Sequence, residues 1–311
     1  MSVRSQHTTV LLHEAIDALN IQPGGTYVDC TFGRGGHSRE ILQRLGKHGR
    51  LVALDRDLAA VEAGHSIKDP RFTLVHSRFS GMGSELRRLG VGKVDGVLVD
   101  LGVSSPQLDE AERGFSFRFE GPLDMRMDQS SGQTATEFLA TASEQELGEV
   151  IKNYGEERFA KQIARSIVAV RSGEDISTTR QLAKIVAHAV RKIEPGQDPA
   201  TRTFQALRIF LNQELEELSL ILPQCVEVLK PAGRLTVISF HSLEDRIVKR
   251  YIRSQQNRDE LPENFPVRAA ELPLPRMIAV GKPIRASEAE IKANPRSRSA
   301  VLRVAERTQA A

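Results

Sequence analysis

Apolar residues recur at helical spacing near the start of the chain (Val10, Leu11, Leu12, Ala15, Leu19), predicting an opening helix. Four short apolar runs follow, at Thr26–Asp29, Arg50–Asp55, Phe72–His76 and residues 96–100, each separated from the next by a helical pattern. Strands alternating with helices predict a parallel sheet covered on both faces, and such sheets bind ligands beyond the carboxyl ends of their strands. Asp29, Asp55 and Asp100 stand at three of those ends.

The alternation then stops. Residues 107–132 read as loop, rich in Gly, Pro and Asp, and only helices follow. Ser143-Glu-Gln-Glu146 is a capping-box sequence, with Leu147, Val150, Ile151 and Tyr154 forming one apolar face after it. Phe159, Ile163 and Ile167 continue the helical period, and a third helix starts at Thr178-Thr-Arg-Gln181. Glu194-Pro-Gly-Gln-Asp-Pro199 breaks that pattern. A single long helix is expected over residues 200–229, stopped by Lys230-Pro-Ala-Gly233, before the sheet resumes with a strand at 235–240. One more helix, from Ser242 to about 254, and a closing strand at 299–305 complete the reading. The expected organisation is an α/β domain in two parts, 1–106 and 214–311, interrupted by an all-helical insertion, 107–213.

With 311 residues, two such units can each bury a core. No apolar run approaches the roughly 20 residues of a membrane span, and the first residues carry no signal-like segment, so a cytoplasmic protein without membrane attachment is expected. Two cysteines, Cys30 and Cys225, in no C-x-x-C pair, exclude a disulfide framework and a cysteine-rich zinc site, and no metal is expected. The net charge of +3 is unevenly spread: residues 151–213 hold 11 Lys/Arg against 6 Asp/Glu, and residues 246–311 hold 14 against 7. Basic excess in two stretches suits a polyanionic partner and equally a solvated surface.

The chemistry concentrates in Tyr27-Val-Asp29-Cys-Thr-Phe-Gly33-Arg-Gly35-Gly36-His37-Ser38, where a strand ends at an acid and a glycine-rich turn opens a helix. Alone, such a turn also fits nicotinamide enzymes or a tight structural bend. A dinucleotide site, however, wants a third glycine where this chain has Ser38. The pattern present is Asp29, Gly33, Gly35, with a carboxylate placed to hold a cationic amino or sulfonium group; S-adenosylmethionine (SAM) has both and lacks phosphate. Asp55, 20 residues beyond Gly35, suits ribose hydroxyls in either cofactor class. Phe79 offers a face for adenine or a packing group for the core. Asp100 is expected beside the methyl donor.

Five longer words resemble one another's counterparts in a single family: His7-Thr-Thr-Val-Leu-Leu, Thr31-Phe-Gly-Arg-Gly-Gly-His-Ser38, Asp100-Leu-Gly-Val-Ser-Ser-Pro-Gln-Leu-Asp109, Gly114-Phe-Ser-Phe117 and Gly121-Pro-Leu-Asp-Met-Arg-Met127. With Ala200-Thr-Arg-Thr-Phe-Gln-Ala206 and Ile238-Ser-Phe-His-Ser-Leu-Glu-Asp-Arg246, the chain resembles the bacterial 16S ribosomal RNA cytosine-N4 methyltransferases over nearly its whole length. That resemblance implies a Rossmann-like class I methyltransferase sheet with an inserted all-helical substrate-recognition domain. It implies SAM as methyl donor and one decoding-site cytidine of the small ribosomal subunit as acceptor. It also implies cofactor contacts at Gly35, Gly36, His37, Asp55, Phe79, Asp100 and Gln107. Nothing in the sequence calls for a protein partner.

Methyl transfer to nitrogen is an in-line displacement, so the protein chiefly aligns donor and acceptor. Cytosine's exocyclic nitrogen is a weak nucleophile, and hydrogen-bond acceptors such as Asp100 help localise its lone pair. Transfer to a ring carbon would need a thiolate, and neither Cys30, inside the glycine motif, nor Cys225, in an apolar helix, is placed for that. His241 is a candidate base or a structural residue before a helix cap. Arg126, between two methionines, either lines a substrate path or clamps a loop. Arg202, Arg208, Lys249, Arg250 and Arg253 are candidate phosphate contacts, each equally readable as a solvated cation. Two rivals remain on residues alone: a nicotinamide oxidoreductase, which Ser38 disfavours, and a non-catalytic RNA-binding protein, which the set of Asp29, Gly33, Gly35, Asp55 and Asp100 disfavours.

Overall fold

In the computed structural model, residues 9–190, 198–256 and 274–310 are described. The sequence expectations for His7, Thr8 and the helix break at 194–197 lie outside them. The chain divides into two compact units: Met1–Gly102 with Leu215–Ala311, and Val103–Glu214.

Among the described residues the first unit is built on an eight-stranded sheet. Its strands are β1 (Thr26–Asp29), β2 (Arg50–Asp55), β3 (Phe72–His76), β4 (Val94–Asp100), β5 (Leu229–Ser239), β6 (Met277–Ala279), β7 (Ile284–Arg285) and β8 (Val301–Arg307). Their order is β3-β2-β1-β4-β5-β8-β6, with β7 also paired to β8. The first five are mutually parallel, as alternation with helices requires, while β8 runs antiparallel to β5, β6 and β7. Residues 52–54 and 97–99 are apolar and buried without alternation, the mark of strands covered on both faces. One face packs Met82, Leu86, Leu222, Val226 and Val248 against β1, β4 and β5; the other packs Leu11, Ile16, Ile41 and Leu45 against Leu51, Leu98 and Leu302. Strand order reverses between β1 and β4, and the opening there at the carboxyl ends is where sheets of this kind hold a ligand.

The second unit is helical: Ser105–Asp109, Ala135–Thr141, Glu144–Gly155, Ala160–Arg171, Thr179–Ala189 and Thr201–Asn212. Thr134, Ser143 and Thr178 cap their helices through backbone N–H groups three residues on, as the sequence predicts for the last two. Leu147, Ile151, Ile163, Ile167, Leu182 and Leu207 share one buried cluster.

Two expectations are corrected. The single helix over 200–229 is two, Thr201–Asn212 and Glu214–Val228, because Gln213 takes a left-handed backbone with φ 53°. The stretch after residue 107 is not entirely loop, since Gln107 lies inside helix Ser105–Asp109.

Candidate active site

The turn after β1 is held by the carboxylates around it. Gly33 donates its N–H to Asp55 Oδ2 at 2.7 Å, and Asp57 donates to Asp55 Oδ1 at 2.8 Å, so β2 supports the loop that leaves β1. Gly35 closes the turn at φ 77°, a left-handed conformation that glycine adopts without a steric penalty. At Gly36, a Cβ would come within 1.8 Å of Thr9 Oγ1, so the opening segment approaches the helix start too closely for any side chain. Around Gly33, by contrast, a Cβ would meet nothing within 4 Å, leaving its backbone open to a ligand.

Asp29 has a different place from the one its position at a strand end suggests. It is fully buried; Oδ2 accepts the Ser38 hydroxyl at 2.6 Å and Oδ1 accepts the Thr31 N–H at 3.1 Å. Both oxygens bind the turn, so the carboxylate holds the loop after β1 in place. Burial pushes its pKa up to about 6, with the Ser38 and Thr31 hydrogen bonds opposing that rise.

Asp100 lies next to it, because β4 pairs with β1. Its N–H donates to Thr31 Oγ1 at 2.7 Å, and its Oδ2 lies 3.8 Å from Nδ1 of the buried His37. Oδ1 is buried with no hydrogen-bond partner among the described residues. Burial first, then the charges of Asp29 and Glu244, hold the Asp100 carboxyl well above the usual carboxylate range. Such an acid is relieved by a nearby cation or by a hydrogen-bond donor at Oδ1. Asp55, also pushed up to about 6 by burial, accepts the backbone N–H groups of Asp57, Gly33 and Arg56 and keeps lone-pair capacity beyond them. An orphaned carboxyl oxygen, an open glycine backbone and a second acid 20 residues on fit the amino, sulfonium and ribose groups of SAM.

Phe79 follows β3, half-buried, and packs against the core cluster of Val75 and Met82. Its segment is fastened by the helix Glu214–Val228: Glu217 accepts the Ser80 N–H at 3.3 Å, and Gln224 accepts from Gly83 at 2.9 Å while donating to the Ser80 carbonyl at 2.6 Å. His241 is nearly buried at the end of β5, with Nε2 3.2 Å from Glu244 Oε1. Glu244 Oε2 also accepts the N–H groups of Phe240 and His241, the reach-back arm of a helix cap. Neither ring nitrogen of His241 has a hydrogen-bond partner among the described residues.

The insertion treats its candidates differently. Gln107 is buried, and its side-chain oxygen accepts the Ser104 N–H at 2.9 Å in a capping box. Arg126 forks onto Asp124, with Nε at 2.8 Å and Nη2 at 2.9 Å, and also donates to the Gly132 carbonyl. Arg208 forks onto Glu214 at 2.8 and 3.0 Å. Both guanidinium groups are paired with carboxylates. Arg202 is half-buried, and Lys249, Arg250 and Arg253 are exposed on helix Ser242–Gln256.

An order-reversed parallel sheet closed by an antiparallel strand, with these acids at the reversal, is the architecture of a class I SAM-dependent methyltransferase, here interrupted by a helical unit. The chain belongs to the MraW methylase family, whose model matches residues 4–308. It is 72% identical over 305 residues to the Ribosomal RNA small subunit methyltransferase H of Methylobacillus flagellatus, covering 98% of this chain and 95% of that protein. The protein of the same name from Aromatoleum aromaticum is 63% identical over 308 residues, covering 99% of each.

Proposed function

We propose that this protein transfers the methyl group of SAM to the exocyclic N4 of cytidine 1402 of 16S ribosomal RNA, acting on the small ribosomal subunit in the cytoplasm. The observation that carries the chemical part is the unpartnered, buried Oδ1 of Asp100 at the carboxyl end of β4. Relatives named as small-subunit ribosomal RNA methyltransferases, matching nearly end to end, support the choice of acceptor. Among the described residues no helix is long and apolar enough to cross a membrane.

SAM supplies an electrophilic methyl on a sulfonium centre. Asp55 and the Gly33 backbone would hold the cofactor, whose cationic sulfonium would favour the ionised form of Asp100; the Asp100 carboxylate would then accept an N–H of the incoming cytosine amine through Oδ1. The amine proton released on transfer passes to Asp100 or to solvent. Cys30 and Cys225 are both buried, and burial raises their thiol pKa values far from the thiolate range, which supports a nitrogen acceptor over a ring carbon attacked through a cysteine adduct. The test is labelled-methyl transfer from SAM to small subunits purified from cells lacking this modification. Incorporation approaching one methyl per subunit is expected; no incorporation into subunits or free 16S RNA would overturn the reading.

A further inference from the structure

Away from the strand ends that carry Asp29, Asp55 and Asp100, the far edge of the sheet holds a pocket of about 340 Å³. One wall is helix Ser242–Gln256, where Lys249 and Arg253, four residues apart, share a face with Ile252. The other wall is the turn between β6 and β7, with Gly281 at φ 69° and Lys282 and Pro283 beside it. Val280 and Val304 add to the apolar lining, their chains joined by the Val280 N–H to Val304 carbonyl bond at 2.9 Å.

Among the described residues no acidic side chain lines this pocket, and four cations do. Arg303 is neutralised by a two-pronged pairing with Asp245 at 2.7 and 2.9 Å. Lys249, Arg253 and Lys282 are exposed and have no carboxylate partner among the described residues. Arg250, one position round the helix, does not line the pocket, so the basic character of this helix is sorted by face. Three like charges around an apolar floor attract an anion that also presents apolar surface. A nucleotide does so, with its phosphate toward the cations and its sugar or base against Ile252, Val280 and Pro283. The volume lies within the range of small-ligand sites. From β4 to β6 the sheet advances three strand spacings, about 14 Å, so the pocket stands within a few nucleotides of the Asp100 site.

We propose that this pocket holds a phosphodiester of the RNA flanking the methylated cytidine, with Lys249, Arg253 and Lys282 as the phosphate contacts. The proposal rests on the RNA substrate stated above.

The test compares the whole protein with a Lys249→Ala, Arg253→Ala, Lys282→Ala triple variant. A charge-matched control, Lys47→Ala, Lys68→Ala, Arg87→Ala, removes exposed cations outside the pocket. A labelled single-stranded 16S RNA fragment is titrated between about 50 and 200 mM salt, a range over which phosphate contacts are strongly weakened. The triple variant is expected to bind about tenfold or more weakly at low salt. Its slope of log affinity against log salt is expected to fall by about 2, at roughly 0.7 per lost contact on single strands. An unchanged slope, or an equal fall in the control, overturns the proposal. Inorganic phosphate or a nucleoside monophosphate lost from the triple variant while its RNA affinity stays intact identifies a small-anion site and also overturns it. A lowered slope in a protein that does not methylate subunits supports the pocket while refuting the proposed reaction.

Discussion

The Ser38 hydroxyl donates to the buried Asp29 carboxylate at 2.6 Å, joining the first turn of one helix to the strand before it. Position 38 is where a dinucleotide site would carry its third glycine, so the residue that departs from that pattern is the one that satisfies the buried acid. Ser38→Ala leaves one Asp29 oxygen without its donor. Thermal or urea unfolding is expected to show a loss of about 1–3 kcal/mol, the cost of an unsatisfied buried polar group. Ser38→Gly, which would complete the dinucleotide pattern, is expected to lose at least as much and to gain no affinity for NAD.

Asp55 gives a pH signature. Its pKa in the folded chain is about 6, against an ordinary 3.8, because it is buried. A raised carboxyl pKa means the folded chain binds more protons than the unfolded chain between these values. The contribution of Asp55 to stability is therefore full below about pH 4 and is lost as pH rises toward 6. Ribose hydroxyls favour the ionised form, so SAM affinity is expected to rise across pH 6 and level off above it. Asp55→Asn is expected to bind SAM about tenfold more weakly at pH 8, with little dependence on pH, by calorimetry. Asparagine is preferred to alanine as the test because Asp55 also accepts the Gly33 and Asp57 N–H groups.

Arg208 and Glu214 are largely buried together, with side chains 15% and 7% exposed. Arg208→Ala strands the Glu214 carboxyl and is expected to cost about 3 kcal/mol in an unfolding titration. Its effect on the salt dependence of RNA binding is expected to be negligible. A changed salt slope with intact stability would restore the phosphate role that the sequence suggests.

Asp100→Asn replaces an acceptor by a group that turns a donor toward the incoming amine. The expected result is a kcat lower by about 10²-fold, in the range of a lost proton-handling group, with melting temperature unchanged or raised, since a strained buried acid is removed. Equal loss of kcat and of stability would mean that Asp100 only supports the fold.

The alternating strands, the helical insertion and the resumption of the sheet near residue 235 are legible because burial on both faces leaves short apolar runs and capped helices leave Ser or Thr before an acid or amide. Asp55 and Asp100 are legible as strand-end acids for the same reason. The hydrogen bond between Ser38 and Asp29 is not, since Ser38 reaches the strand end only once the glycine turn folds the helix back over it. Thr31 and Asp100 are 69 residues apart and meet only through the pairing of β1 with β4. The helix break at Gln213 carries no Gly or Pro to announce it, and that break gives Arg208 its partner Glu214 six residues on. Lys282, the third cation of the edge pocket, joins Lys249 and Arg253 only because β6 and β7 both pair with β8.

The measurement closest to the central claim is nuclease digestion and mass spectrometry of 16S RNA recovered from undermethylated small subunits after incubation with this protein and isotopically labelled SAM. The account predicts labelled N4-methylcytidine at position 1402. Label on a ring carbon, on another nucleotide, or absent altogether would contradict it.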